Sequence, residues 1–348
     1  KEFLCTYQGR TGLYHILNYL KRNFNIRRVI IPSYICKIVI PPIKMNGLEV
    51  IFVDNNLETL GMDSNRISLK KNDVVLWVNY FGLKSKPSEK LLNRKDIFII
   101  EDNASHFQKP SSFADFTLYS FGKGKEMSSS EGSVVVINKL KFKNFLDEVK
   151  LDPPSFKTEV IRFFGYLTWR LITFRLVYMI GKRIKDTLQK NHSLNPAESI
   201  ENVNFSMCKI SKKLMYRNLI KINKLQKYSK VLAELLIKRL KNIAGITVLN
   251  PKGDSNYFSV NFFVDKRNSL KSYLERKNIF GSIPWEYLAE YDLNKKSHKN
   301  ASYILKHILQ IKIDPTYMKT SDIDYIVRSI EDWTISTKRM VLDSRKSF

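Results

Sequence analysis

Short runs of β-branched and aliphatic residues recur through the first half of the chain, each followed by a stretch of helical periodicity. This alternation predicts parallel strands joined by crossover helices. Strands are predicted over 29–31, 50–53, 74–78, 97–100, 116–120 and 133–137. Most are apolar on both faces, as a sheet buried between helical layers requires. Leu13, Ile16, Leu17 and Leu20 fall at helical spacing, so a first helix is predicted from near Gly12, just after Gln8-Gly9-Arg10-Thr11. In the second half, Leu214, Leu225, Val231, Leu232, Leu235 and Leu236 recur along a long helix predicted over 210–240, which stops near Asn242 before Gly245. Strands over 246–249 and 257–264, with helices over 268–277 and 321–333, complete the pattern. The expectation is an α/β chain: a mostly parallel sheet domain over 1–150, an insertion over 151–200, and a connecting helix with a smaller C-terminal α+β domain over 201–348.

The insertion is marked by composition. Asp152-Pro153-Pro154 breaks the periodicity, and 156–188 is rich in aromatics and arginines with almost no acids. Arg170 and Arg175 interrupt the apolar stretch, which makes a membrane span too costly. Two readings remain: helices lying in a membrane interface, or a hairpin packed on a partner subunit or over the active site with its arginines on a diphosphate.

Charge widens the choice of ligand without settling it. Lys and Arg number 59 against 33 Asp and Glu, a net +26 that attracts phosphates, nucleotides or an anionic membrane surface. Hydrophobic residues at 43% exclude a disordered chain. No RNP-like aromatic motif, zinc finger or basic coiled coil accompanies the charge, so nucleic acid is not the expected partner. Cys5, Cys36 and Cys208 form no metal-ligand spacing, and residues 1–7 lack a signal-peptide pattern, which predicts a cytoplasmic protein and no metal site.

Three elements carry candidate chemistry. Gly9-Arg10-Thr11-Gly12 at a helix start offers either a phosphate site on free backbone N–H groups or an ordinary cap by Thr11. The strand Ile97-Phe98-Ile99-Ile100 runs into Glu101-Asp102-Asn103-Ala104-Ser105-His106. Asp102, just past a strand's carboxyl end, either faces a ligand crevice or caps a helix. His106 is either a ligand-facing imidazole or a half-buried surface residue. Finally, Tyr119-Ser120-Phe121-Gly122-Lys123-Gly124-Lys125 puts lysines on a Gly-rich turn, as a nucleophilic amine, a phosphate contact or a solvated turn. Glu126 follows Lys125 where a P-loop needs Ser or Thr.

Taken in order, these segments resemble the DegT/DnrJ/StrS sugar aminotransferases, pyridoxal-phosphate enzymes of fold type I. The resemblance runs from Gly9 to about Trp333, apart from the insertion, and includes Ile30-Ile31-Pro32-Ser33-Tyr34, Val78-Asn79-Tyr80-Phe81-Gly82, Glu101-Asp102-Asn103-Ala104, Ser120-Phe121 with Lys125, Glu131-Gly132 and Asn204-Phe205-Ser206-Met207. It implies pyridoxal 5'-phosphate held covalently by Lys125, with Asp102 at its ring nitrogen. Thr11, Ser120 and backbone near Gly9 and Arg10 would anchor the phosphate, and Tyr34, Cys36 and Ser105 would lie around the ring. It further implies a homodimer in which Asn204 reaches the phosphate of the other subunit, a nucleotide-sugar substrate, an amino-acid amino donor, and a place in polysaccharide or glycan biosynthesis.

The sequence departs from the family pattern at named places. Cys36 replaces an aromatic ring, for which Tyr34 is the expected substitute. Ser105 replaces a glutamine, with His106 adjacent, and Ser206 replaces an arginine. Together these keep open a second reading, a binding or scaffold protein of polysaccharide assembly. Lys125 argues against the family's sugar dehydratases, which resemble the aminotransferases but carry histidine at the lysine position.

Overall fold

Strands rich in Val, Ile and Phe lose little by adopting extended backbone and gain by packing on both faces. A computed structural model of the chain, which describes residues 2–122, 124–172, 200, 202–253, 255–286 and 297–346, shows where these strands assemble. Seven strands, β1 (Phe3–Thr6), β2 (Arg28–Pro32), β3 (Glu49–Val53), β4 (Val74–Val78), β5 (Phe98–Asp102), β6 (Phe116–Ser120) and β7 (Ser133–Ile137), form one sheet in the order β1-β7-β6-β5-β4-β2-β3. The run β6-β5-β4-β2-β3 is parallel, and β7 lies antiparallel to both β6 and β1. β4 is buried along its whole length, as a central parallel strand should be.

Helix α1 (Gly9–Phe24) packs tightly on this sheet. A Cβ on Gly12 would sit 2.8 Å from Leu118 Cδ1 and 2.9 Å from Val135 Cγ2, so glycine is what lets the helix come this close. Short helices α2 (Ile40–Met45), α3 (Glu89–Leu92) and α4 (Phe145–Glu148) follow, then α5 (Phe156–Ile172) and the long α6 (Lys209–Leu240). Beyond these, β8 (Ile246–Val248), β9 (Ser259–Val264), β10 (Gly281–Ser282) and β11 (Ile308–Lys312) form an antiparallel four-stranded sheet, β10-β11-β9-β8. Helices α7 (Arg267–Arg276), α8 (Lys299–His307) and α9 (Thr320–Lys346) accompany it. Its core gathers Leu232 and Leu236 of α6, Phe262 of β9, Leu309 of β11 and Ile326 and Ile330 of α9.

Among the contacts that seat the small sheet on the large one, two lie just past strand ends. The Asp54 carboxylate, just past β3, accepts the Asn300 and Ala301 N–H groups at 3.1 and 2.8 Å and so caps α8 from another part of the fold. At the turn after β4, Gly82 has φ +88° and its carbonyl accepts the Asn256 N–H at 3.0 Å. A side chain there would run into Asn256 and Phe258.

The six strands expected in the first half are all present; α8 was not expected, the last helix runs on to Lys346, and other features differ too. α1 opens at Gly9 rather than near Gly12, because Gln8 is the last extended residue and Gly9-Arg10-Thr11 already turn helically. β1 was not anticipated: it is four residues long, at a sheet edge, with Phe3 exposed. β10 and β11 were also missed, the first for its brevity and the second because it follows α8 with no turn residue between. Of the aromatic insertion, 156–172 is helix; 173–199, with Arg175, lies outside the described residues, as does Lys123.

Candidate active site

A cavity of about 370 Å³ opens where the carboxyl ends of the parallel strands meet the start of α1, the place where open α/β sheets bind ligands. Among the residues in its wall are Gln8, Gly9, Arg10, Cys36, Asn79, Tyr80, Asp102, Ala104, Ser105, Ser120, Gly122, Lys125, Glu131 and Trp285. Seven of the positions singled out from sequence therefore converge: Gly9, Arg10, Cys36, Asp102, Ser105, Ser120 and Lys125.

Asp102 owes its place to strand alternation. Adjacent residues of β5 point to opposite faces. Glu101 turns away from the cavity and is consumed by structure: it accepts from the Ser111 N–H at 2.9 Å, the Ser111 hydroxyl at 2.5 Å, Thr117 Oγ1 at 3.1 Å and Asn79 Nδ2 at 3.1 Å. Asp102 turns toward the cavity, where its Oδ1 accepts the Ala104 N–H at 2.8 Å. Burial raises the Asp102 pKa above the ordinary carboxylate value, opposed by the Ala104 N–H and the charge of Lys125. A cation placed against this carboxylate would relieve that desolvation.

Lys125 Nζ donates to Ser105 Oγ at 3.2 Å, so the serine that stands in place of a glutamine orients the amine. The turn that carries Lys125 is fastened on several sides. Its N–H bonds the Gly122 carbonyl at 3.2 Å, and Lys312 Nζ of β11 donates to the Gly124 carbonyl at 3.0 Å. The next residue, Glu126, accepts from Gln226 of α6 at 2.8 Å, from the Phe107 N–H at 3.3 Å and from Asn256. Burial pushes the Glu126 pKa up to about 7 against the pull of those donors.

The start of α1 forms the third wall. Gln8 provides no side-chain cap, and the first turn holds no acid, so backbone N–H groups at the positive end of a 16-residue helix remain available. The helix is fixed through the Gln8 carbonyl, which accepts the Gly12 N–H at 3.1 Å, Ser133 Oγ at 3.0 Å and Thr6 Oγ1 at 3.1 Å. Arg10 Nε donates to Gln8 Oε1 at 2.7 Å, which holds the guanidinium at the cavity. Ser120 lies close by: a Cβ on Gly9 would stand 3.4 Å from Ser120 Oγ. The whole constellation suits a small, planar, anionic group: phosphate at the helix end, a ring nitrogen at Asp102, and an amine between them.

Other predicted residues lie elsewhere. Thr11 is in the first turn of α1, fully buried and outside the cavity wall; it does not cap the helix, and its Oγ1 has no hydrogen-bond partner among the described residues. Tyr34 is fully buried and is not among the residues of the cavity wall. His106 is buried rather than at the surface, and it too lies off the cavity. Asn204 is exposed and bonds by its carbonyl to the Asp152 N–H at 2.8 Å, away from this chain's own cavity. Sequence reasoning missed Gln8, Glu131 as a wall residue, and Trp285. Trp285 reaches the cavity from the far half of the chain, and no local spacing announces that.

The motif segments also meet one another. Gly132, with φ +122°, packs against Met207, whose side-chain atoms would lie 2.8–3.0 Å from an added Cβ. Ser206 bridges Thr6 at the edge of the large sheet. Glu131 pairs with Arg162 of α5 at 3.4 Å, which ties the inserted helix to the cavity wall.

Comparison with known proteins adds independent weight. The sequence model of the DegT/DnrJ/EryC1/StrS aminotransferase family matches residues 6–331. A curated relative, GDP-perosamine synthase of Escherichia coli O157:H7, is 29% identical over 121 residues; the match covers 32% of this chain and 33% of that protein, about a third of its length. Among solved structures, a DegT/DnrJ/EryC1/StrS aminotransferase from Brucella abortus superposes with TM-score 0.69 at 17% identity, over 96% of this chain and 86% of that one. The sugar aminotransferase CalS13 of Micromonospora echinospora gives 0.70 at 15%, over 95% and 87%. An E. coli GDP-4-keto-6-deoxy-D-mannose-3-dehydratase with bound hydrated PLP gives 0.71 at 17%, over 94% and 87%. Both aminotransferases and a dehydratase thus share this fold, so the fold alone does not choose the reaction.

Proposed function

Because the chain belongs to the DegT/DnrJ/EryC1/StrS aminotransferase family, we propose that it is a pyridoxal 5'-phosphate-dependent aminotransferase that converts a keto group of a nucleotide-linked sugar to an amine, with an amino acid as donor. The observation that carries this reading is the placement of the Lys125 amine in one cavity with Asp102 and the uncapped start of α1. The cavity's donor set fits the cofactor. Its phosphate would be held by the N–H groups at the start of α1, with Arg10 and Ser120, and its ring nitrogen by Asp102. When bound, pyridoxal phosphate supplies a reactive aldehyde and a ring that withdraws electrons from the reacting carbon.

The chain's own groups do the rest. Asp102, when ionised, would keep a proton on the ring nitrogen. Lys125 Nζ would hold the cofactor through its aldehyde and would serve as the group that takes up and returns a proton beside it. Ser105 Oγ fixes where Nζ starts. Lysine rather than histidine at this place favours amination over dehydration.

We assign residues 1–150 to cofactor binding, 151–200 to an insertion and 201–348 to the connecting helix and small unit, and we extend the proposal to assembly. An exposed Asn204 that lies off its own cavity supports a homodimer in which this residue serves the other subunit's site. Light scattering that shows a monomer with full turnover would overturn that arrangement. No helix among the described residues is long and apolar enough to cross a membrane. The outward apolar stripe of α5, with the net +26 charge, supports contact with the anionic cytoplasmic face of a membrane.

The deciding experiment is chemical. Protein soaked with pyridoxal phosphate and reduced with borohydride carries the label on the peptide containing Lys125. Lys125→Ala abolishes the label and Lys123→Ala leaves it. A label that follows Lys123 moves the assignment by two residues, and no label at all sinks the enzyme in favour of a scaffold.

A further inference from the structure

Among the described residues two aromatic side chains line the cavity, Tyr80 and Trp285, and they differ in what they leave free. Tyr80 is buried, and its hydroxyl donates to the Tyr34 carbonyl at 2.5 Å. Trp285 is only partly buried and belongs to the segment just after β10, so it enters the wall from the small sheet.

Its position is defined on several sides. The Tyr34 hydroxyl donates to the Trp285 carbonyl at 3.2 Å and accepts its N–H at 3.4 Å, which pins the backbone. Rings of Tyr34, Tyr80 and Phe81 lie 5.1, 5.7 and 5.0 Å from the indole in tilted or edge-on arrangements, the favourable geometry for aromatic pairs. These three rings come from the ends of β2 and β4 and back the indole on the large-sheet side. Tyr80, 5.7 Å from the indole, lines the same cavity as Cys36 and Asp102. The Cys36 thiol offers that cavity no flat surface.

We propose that Trp285 is the aromatic wall for the cofactor's ring, so that the small sheet, rather than the large one, supplies the surface on which a planar ligand stacks. This rests on the pyridoxal-phosphate reading above. It makes cofactor retention depend on how the small sheet is seated, with Tyr34 as the positioning residue that fixes Trp285 through its backbone.

The test measures pyridoxal-phosphate affinity by absorbance titration in wild type, Trp285→Phe, Trp285→Leu and Trp285→Ala. Trp285→Phe stays within about threefold of wild type, while Trp285→Leu and Trp285→Ala bind about tenfold more weakly, the scale of one lost aromatic contact. Indole fluorescence quenched on cofactor addition in wild type shrinks in Trp285→Phe. If Trp285→Ala fails to fold, the contrast between Phe and Leu, similar in bulk but not in aromaticity, still decides. Equal affinity in Phe and Leu variants, or unchanged affinity with a raised KM for a nucleotide sugar, overturns the proposal and makes Trp285 a substrate contact. Wild type that binds no cofactor, or binds it away from Lys125, instead overturns the functional reading.

Discussion

Around the cavity, carboxylates and an amine are drawn out of bulk water and held by partners, whereas along α5 the apolar residues face outward. Glu101 is fully buried with four hydrogen bonds, and Asp102 and Lys125 sit in the cavity wall. On α5, Phe156, Phe163, Phe164, Leu167 and Leu171 form one helical stripe and are exposed, Phe156 by 85%. Glu159 and Arg162 of that helix instead meet the body of the protein, while Lys157 and Thr168 are exposed with the stripe. Glu159 accepts the Lys209 N–H at 2.7 Å, and Arg162 donates to the Tyr7 hydroxyl at 2.9 Å while lying 4.6 Å from its ring. A buried charge without a ligand is a cost, and so is an apolar stripe in water. Among the described residues neither cost is offset, and the two regions call for different partners: a small charged molecule for the cavity and an apolar surface for the helix.

The sharpest way to break the comparison is to remove the cavity's buried charge. Asp102→Asn lowers turnover by about a hundredfold or more, the scale of losing a preorganised electrostatic contact. The effect of pH is also fixed in sign. Burial raises Asp102, so the wild type loses cofactor affinity on the acid side sooner than an exposed aspartate would, as the carboxylate takes up a proton. Asp102→Asn has uniformly weak affinity without that acid limb, measured as pyridoxal-phosphate titrations across pH. A variant that retains the limb places the titration on another group.

Glu126 tests whether polar burial near the cavity is tolerated or useful. Its pKa of about 7 lies above that of an ordinary carboxylate, so between the two values the folded chain holds a proton that the unfolded chain has released. Its contribution is therefore fully present below the unfolded value and is lost as pH rises through about 7. Glu126→Gln removes this slope, measured as urea midpoints at pH 5 and pH 8. An unchanged slope in the variant would show that Glu126 titrates normally and that its three donors keep it ionised.

How much of this was legible in the sequence follows from range. Strands that are apolar on both faces announce themselves locally, which is why β2 to β7 were readable. Asp102 closes one such strand and Lys125 lies five residues after another, so their places were legible locally, while their roles came from the family resemblance. Trp285 was not readable, since the Tyr34 hydroxyl that positions it is 251 residues away. Tyr34, expected from the family resemblance as the substitute for the ring at Cys36, packs against Trp285 instead of lining the cavity, another contact from the far half of the chain. The outward stripe of α5 was one of two readings left open by the sequence, because a periodic apolar face reads equally as buried until its neighbours are known.

The smallest effect on the fold, and the clearest on partner choice, belongs to that stripe. Phe163 and Phe164 are exposed and touch each other edge-on, at 5.7 Å between ring centres. Changing both to Ser leaves stability within about 0.5 kcal/mol, as for ordinary surface positions. If the stripe meets lipid, the wild type co-sediments with vesicles containing anionic lipid and less so in high salt, where the attraction of its net +26 charge is screened. The double variant stays in the supernatant. Equal pelleting with neutral lipid or without lipid rejects the membrane. A double variant that falls from dimer to monomer instead assigns the stripe to a second copy of the chain, because the apolar face then needs protein rather than lipid to cover it.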